Sequence, residues 1–143
     1  MRIRKSMAAG SFGLLVAAFA LSGCATYHRM MGDLALTGAN EVPPVSTSAS
    51  GTGKITVADD RSVSGSITVS GMTPTAAHIH EGGPGKNGPV IVPLTKTGAN
   101  TFKVPEGTKL TEAQYNDYKA GNLYVNVHSA EHKGGEVRAQ LKP

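Results

Sequence analysis

The chain contains no tryptophan, and its 143 residues include only three phenylalanines and four tyrosines. Aliphatic side chains must therefore supply most of the buried surface. Cysteine occurs once, as Cys24, which excludes an intrachain disulfide and a thiolate-rich metal cluster. No apolar run reaches the ~20 residues that a bilayer-spanning helix requires. The stretch that comes nearest, Met7 to Leu21, is short, built of apolar and small residues, and preceded by Arg2, Arg4 and Lys5. That order of charge and apolarity is the layout of an export signal. A true excess of positive charge is missing as well. The formal net charge of +4 falls to near balance once residues 1–23 leave, because they take Arg2, Arg4 and Lys5 with them. Charge thus gives no support for a nucleic-acid partner.

What is present at the N-terminus is an address. Leu21-Ser22-Gly23-Cys24 fits the lipobox of bacterial lipoproteins: an aliphatic residue, two small residues, then the cysteine that receives lipid. The expected organisation is a signal peptide over 1–23, a lipid-anchored tether over 24–32 and a folded domain over 33–143. Such a protein is held on a membrane through its N-terminal lipid, in the bacterial cell envelope. Ala25 in place of an aspartate directs it to the outer membrane if the cell is Gram-negative. His28, Met30 and Met31 lie in the tether and are read as linker residues.

From Asp33 onward the pattern is short alternating segments and turns. Leu34 and Leu36 alternate, Pro43-Pro44 excludes a central strand, and Gly53 to Val57 forms the next strand. In Val63 to Val69 the residues Val63, Gly65, Ile67 and Val69 share one face and serines and a threonine the other. Further strands are expected at His78–His80, Val90–Leu94, Thr101–Val104, Asn122–His128 and Glu136–Leu141. A single helix, Thr111–Ala120, is predicted from the capping box Thr111-Glu112-Ala113-Gln114 and from Gly121 at its end. The fold class is mainly β: an antiparallel β-sandwich, immunoglobulin-like or Greek-key, with one short helix.

Four of the five histidines fall in two segments, Ala77-His78-Ile79-His80 and Val127-His128 to His132. Residues two apart on a strand share a face, so His78 and His80 point the same way, and His128 meets them if its strand lies alongside. Strict alternation in the last hairpin, with Val127 opposite Val137, sets His128 against Glu136, Asn126 against Arg138 and Tyr124 against Gln140. This polar ladder admits two readings. In one, His78, His80 and His128 hold Cu(II) or Zn(II), with Asn126, His132, Glu136 and Arg138 supporting them and Glu136 accepting from His128. In the other, the same ladder is structural.

These residues carry a resemblance. Leu36 to Val45, Ala77 to His80 with Gly82 to Leu94, and Gly121 to His128 with Gly134 to Leu141 are similar, in order, to the three signatures of the CHRD (chordin-type) domain family. The resemblance implies a β-sandwich and leaves the activity open. His-x-His before a Gly-rich turn is also loosely similar to the Cu/Zn superoxide dismutase sandwich, although that family's disulfide and zinc loop have no counterpart here.

Three functions are carried forward. The first is an envelope binding domain with a copper or zinc site. The second is an adhesion or interaction module for an envelope or extracellular protein partner. The third is an enzyme, which ranks last. No placed acid, base or nucleophile accompanies the histidines beyond Glu81, Glu131 and Glu136, and Gly82-Gly83-Pro84-Gly85 reads as a turn rather than a phosphate cradle because no helix follows it.

Overall fold

The computed structural model describes residues 33–143. The signal segment, Cys24 and the tether with His28, Met30 and Met31 lie outside the described residues. Nine strands and one helix follow in order: β1 Asp33–Thr37, β2 Ser50–Val57, β3 Val63–Ser70, β4 Pro74–Glu81, β5 Val90–Pro93, β6 Thr95–Lys96, β7 Thr101–Lys103, α1 Glu112–Lys119, β8 Leu123–Ser129 and β9 Val137–Gln140. All pairings are antiparallel, in the order β5-β4-β8-β9-β1-β2-β3-β7-β6. The architecture is the expected mainly antiparallel β-sandwich with one short helix, made from a sheet that nearly closes on itself.

Closure follows from the chain itself. β5 lies at one edge of the strand order and β6 at the other, yet only Leu94 separates them in sequence. The two edges must therefore be neighbours, and Leu94 N–H donating to Ala77 O (2.9 Å) and Lys96 Nζ to Pro74 O (2.8 Å) hold the connection and β6 against β4, the strand beside β5. A sheet whose edges meet offers few unpaired strand groups to solvent or to other chains.

Alternation builds the core. Leu34 and Leu36 of β1, Ile67 and Val69 of β3, Ala77 and Ile79 of β4, Leu123, Val125 and Val127 of β8, and Val137 and Ala139 of β9 all point inward and are buried. β4 begins at Pro74, earlier than its histidines alone suggest, and β6 has too few residues to show any alternation. Helix α1 starts as its sequence dictates: Thr111 Oγ1 accepts from Gln114 N–H (3.2 Å) while Gln114 Oε1 accepts from Thr111 N–H (2.9 Å). Gly121 then leaves the helix with φ +78°, a conformation that favours glycine. Tyr118, on the helix face that meets the sandwich, is buried and donates its hydroxyl to Lys142 O. Among the described residues no helix is long and apolar enough to cross a membrane.

The register of the last hairpin is as expected: Val127 opposes Val137, Asn126 opposes Arg138 and Tyr124 opposes Gln140. The environment of its second face is not. Polar residues alternating with core residues on a strand ordinarily face solvent, but Tyr124, Asn126, His128, Glu136 and Arg138 are all buried. Two segments cover it, the Gly82–Pro89 turn and the Gly38–Thr47 stretch, and Asn87 Nδ2 joins them by donating to Val42 O (2.7 Å).

Candidate metal centre

β4 and β8 lie side by side with Ala76 opposite His128, His78 opposite Asn126 and His80 opposite Tyr124. Period-two alternation then places His78, His80, Asn126 and His128 on the same face of these two strands. One ring nitrogen from each of the three histidines falls within 4.8 Å of the others. His78 Nδ1 stands 3.0 Å from His128 Nε2. His80 and His128 are buried, and His78 is half-buried at the rim.

Two of the three rings are held in a defined tautomer. His80 Nδ1 lies 2.9 Å from Gly88 O, and His128 Nδ1 lies 2.8 Å from Lys133 O. A carbonyl oxygen only accepts, so each Nδ1 carries the proton and each Nε2 presents a lone pair. This is how imidazoles are oriented for ligation, with the far nitrogen tied to an acceptor and the near one free. His80 Nε2 is buried without a hydrogen-bond partner. Burial, the dominant cause, and the neighbouring His128 and His80 rings hold His78 below its ordinary pKa of 6.5. Burial does the same to His80, opposed by its bond to Gly88 O. Both shifts favour the neutral ring, the form that can bind a cation.

Arg138 holds the surrounding turn in place. Its guanidinium, 1 % exposed, donates to Gly83 O (2.9 Å), Lys86 O (3.0 Å), Gln140 Oε1 (3.0 Å) and Asn87 Oδ1 (3.3 Å). Among the described residues no carboxylate pairs with it, since Lys103–Glu106 is the ion pair found there. Its charge is met by neutral oxygens and by the face of Tyr124, 3.4 Å from the guanidinium carbon. The other face of Tyr124 stacks on His80 with ring centroids 4.7 Å apart and planes 3° from parallel. Arg138, Tyr124 and the Gly82–Pro89 turn thus form one packed unit that fixes the His80 ring from two sides.

The supporting residues depart from expectation in two places. Glu136 does not accept from His128: it takes the Thr47 hydroxyl (2.7 Å), while Lys133 O serves His128. The reason is that the Gly38–Thr47 stretch folds over β9 and reaches Glu136 first. His132 stays outside the histidine cluster. Its backbone N–H donates to Ser129 Oγ, and its carbonyl accepts from Gly135 N–H as part of the loop turn. Asn126 and Arg138 do stand beside the histidines.

Sequence reasoning passed over Glu41. It is 4 % exposed, and burial raises its carboxyl from 4.5 to about 7 against the pull of Arg138, Asn126 and the Val42 backbone. Any side chain at Gly135 (φ +127°) would collide with both Glu41 Oε1 and Asn126 Nδ2. The glycine is there because carboxyl and carboxamide crowd the backbone. The available signal was an acid directly before the apolar Val42-Pro43-Pro44 segment.

A family model described as the CHRD domain matches residues 33–141. No curated protein and no solved structure matches the chain.

Proposed function

Because this chain belongs to the CHRD family across nearly all of its described residues, a membership that fixes a fold and not an activity, we propose that its function resides in the histidine cluster. On this reading the protein is a cell-envelope domain, anchored by lipid on Cys24 after loss of residues 1–23 and carried on the 24–32 tether. It binds Cu(II) or Zn(II) through His78, His80 and His128. The observation that carries the reading is the pair of carbonyl-locked rings: Gly88 O and Lys133 O each take an Nδ1 proton, so two Nε2 lone pairs face the spot that His78 also reaches. Ligands at ~2.0–2.1 Å from one ion lie at most about 4 Å apart, so the three nitrogens, within 4.8 Å of one another, need draw in only slightly to close the set.

Such a site buffers or delivers metal in the envelope. With only nitrogen donors from neutral imidazole, it suits borderline ions such as copper and zinc rather than calcium or magnesium. Titration of the mature protein with Cu(II) and with Zn(II) is expected to show saturable binding that the His78→Ala/His80→Ala double variant loses. Binding is expected to weaken as pH falls. Because burial holds His78 and His80 below 6.5, the loss comes at a lower pH than for free histidine. Absence of saturable, pH-sensitive binding of either ion refutes the metal reading.

A second reading rests on the His78 Nδ1···His128 Nε2 contact, which satisfies both atoms with no metal. On it, the ladder is structural and the domain is an interaction module for an envelope or extracellular protein. The double variant separates the two: it then lowers the melting temperature of the metal-free protein and removes no metal binding.

A further inference from the structure

Asn126 sits at the middle of the cluster. It lies directly opposite His78 on the neighbouring strand, two residues from His128, with its carboxamide against the His80 ring. The residue is 2 % exposed. Its Nδ2 donates to Gly134 O (3.3 Å), which fixes the orientation of the amide and leaves Oδ1 on the other side. Asn126 Oδ1 is buried without a hydrogen-bond partner, and so is His80 Nε2.

Both atoms are acceptors. The His80 proton is already committed to Gly88 O, so neither of the two can satisfy the other, and leaving two buried lone pairs unpaired is costly. A proton or a metal cation resolves the conflict. Two further imidazoles aimed at the same spot favour the metal. The His78 Nδ1···His128 Nε2 separation of 3.0 Å adds a geometric constraint. For bonds of ~2.0 Å, two ligands at a right angle stand about 2.8 Å apart and two at the tetrahedral angle about 3.3 Å. The observed spacing falls between the two, so the donor set decides: mixed nitrogen and oxygen donors are the set that tetragonal Cu(II) takes.

We propose that the Asn126 carboxamide oxygen is the fourth ligand, and that the resulting three-nitrogen, one-oxygen set is a tetragonal Cu(II) site. The inference rests on the histidine reading above and adds to it the oxygen donor and the choice of copper over zinc. Cu(I), which favours soft sulfur ligands, is poorly served by an amide oxygen.

The test uses the mature chain solubilised in detergent. With Zn(II) as a diamagnetic probe, the side-chain NH2 resonances of Asn126, identified by their loss in Asn126→Asp, are expected to shift as the ion saturates. With Cu(II), an axial electron paramagnetic resonance spectrum is expected. Asn126→Leu is expected to lower Cu(II) affinity by tenfold or more, and Asn126→Asp, which keeps an oxygen donor, to bind at least as tightly as the wild type. Asn126 resonances that do not move at saturation, or a folded Asn126→Leu within twofold of wild-type affinity, overturn the proposal while leaving the three histidines as ligands. If Asn126→Leu does not fold, the wild-type resonances decide alone. A wild-type protein that binds neither ion overturns this inference together with the histidine reading.

Discussion

Glu41 is the group whose chemistry the fold changes most. Burial raises its carboxyl from 4.5 to about 7, so between those values the folded protein holds a proton that the unfolded chain has released. Stability therefore falls as pH rises through that window and stays reduced above it. His78 and His80 act with the opposite sign. Their depressed folded values mean that the unfolded chain takes up protons first, so stability is lost as pH falls below 6.5. Glu41→Gln imitates the neutral acid. The variant is expected to match the wild type below pH 4.5 and to exceed it by about 3 kcal/mol above pH 7, in urea unfolding followed across pH. A difference that stays constant with pH would sink the assignment. Arg138 offers a second test. Arg138→Met keeps much of the volume and strands the oxygens of Gly83, Lys86, Asn87 and Gln140 that the guanidinium serves. A loss of about 3 kcal/mol or more is expected, read from denaturant midpoints. Protease sensitivity is expected to rise within Gly82–Pro89, because this turn loses its anchor.

β8 and β9 have two buried faces for different reasons. One face, Leu123, Val125, Val127, Val137 and Ala139, is ordinary core. The other is polar, and two loops bring backbone carbonyls to it and to the adjoining His80 of β4: the Gly82–Pro89 turn gives Gly88 O to His80 and Gly83 O to Arg138, and the loop after β8 gives Lys133 O to His128. A polar face can be buried this way because each hydrogen bond offsets the loss of water. Gly135 is where one of these loops comes closest. Gly135→Ala places a Cβ against Glu41 and Asn126 at a φ of +127° that alanine rarely adopts. An expected cost of roughly 2 kcal/mol or more follows from the backbone conformation and the collision together. Thermal melting of the variant measures it, and a melting temperature unchanged from wild type would count against the crowding described.

The chain carries a nearly closed sheet after an N-terminal segment whose Leu21-Ser22-Gly23-Cys24 underlies the proposed lipid anchor. Edge strands β5 and β6 are consecutive in the chain, so the sheet closes locally, and the histidine face lies on β4 and β8, next to the β5 edge. Half-buried His78 is the member of the cluster most open to solvent, and a metal or partner would approach from its side. Cys24→Ser is expected to abolish membrane fractionation of the protein and to leave it soluble or unprocessed. Processed, membrane-bound protein in that variant contradicts the lipid-anchor proposal.

Much of this was legible in the residues themselves. Alternation told which side chains of β3, β4, β8 and β9 face the core, since the two-residue period is a property of the extended backbone. The capping box and Gly121 placed the helix, because those bonds close within one turn. The shared face of His78 and His80, and their meeting with His128, followed from the same period once β4 and β8 paired. The supporting bonds did not follow. Glu136 turned to Thr47, which lies 89 residues away, and the locking carbonyls came from loops whose paths no local pattern encodes. The raised carboxyl of Glu41 depends on how completely several segments exclude water from one atom. Strand direction and helix ends are set by neighbours in sequence, and the chain alone determined them. The burial of the polar face, the tautomers of its rings and the orphaned oxygen of Asn126 arise where distant loops converge, so the tertiary structure alone decided them.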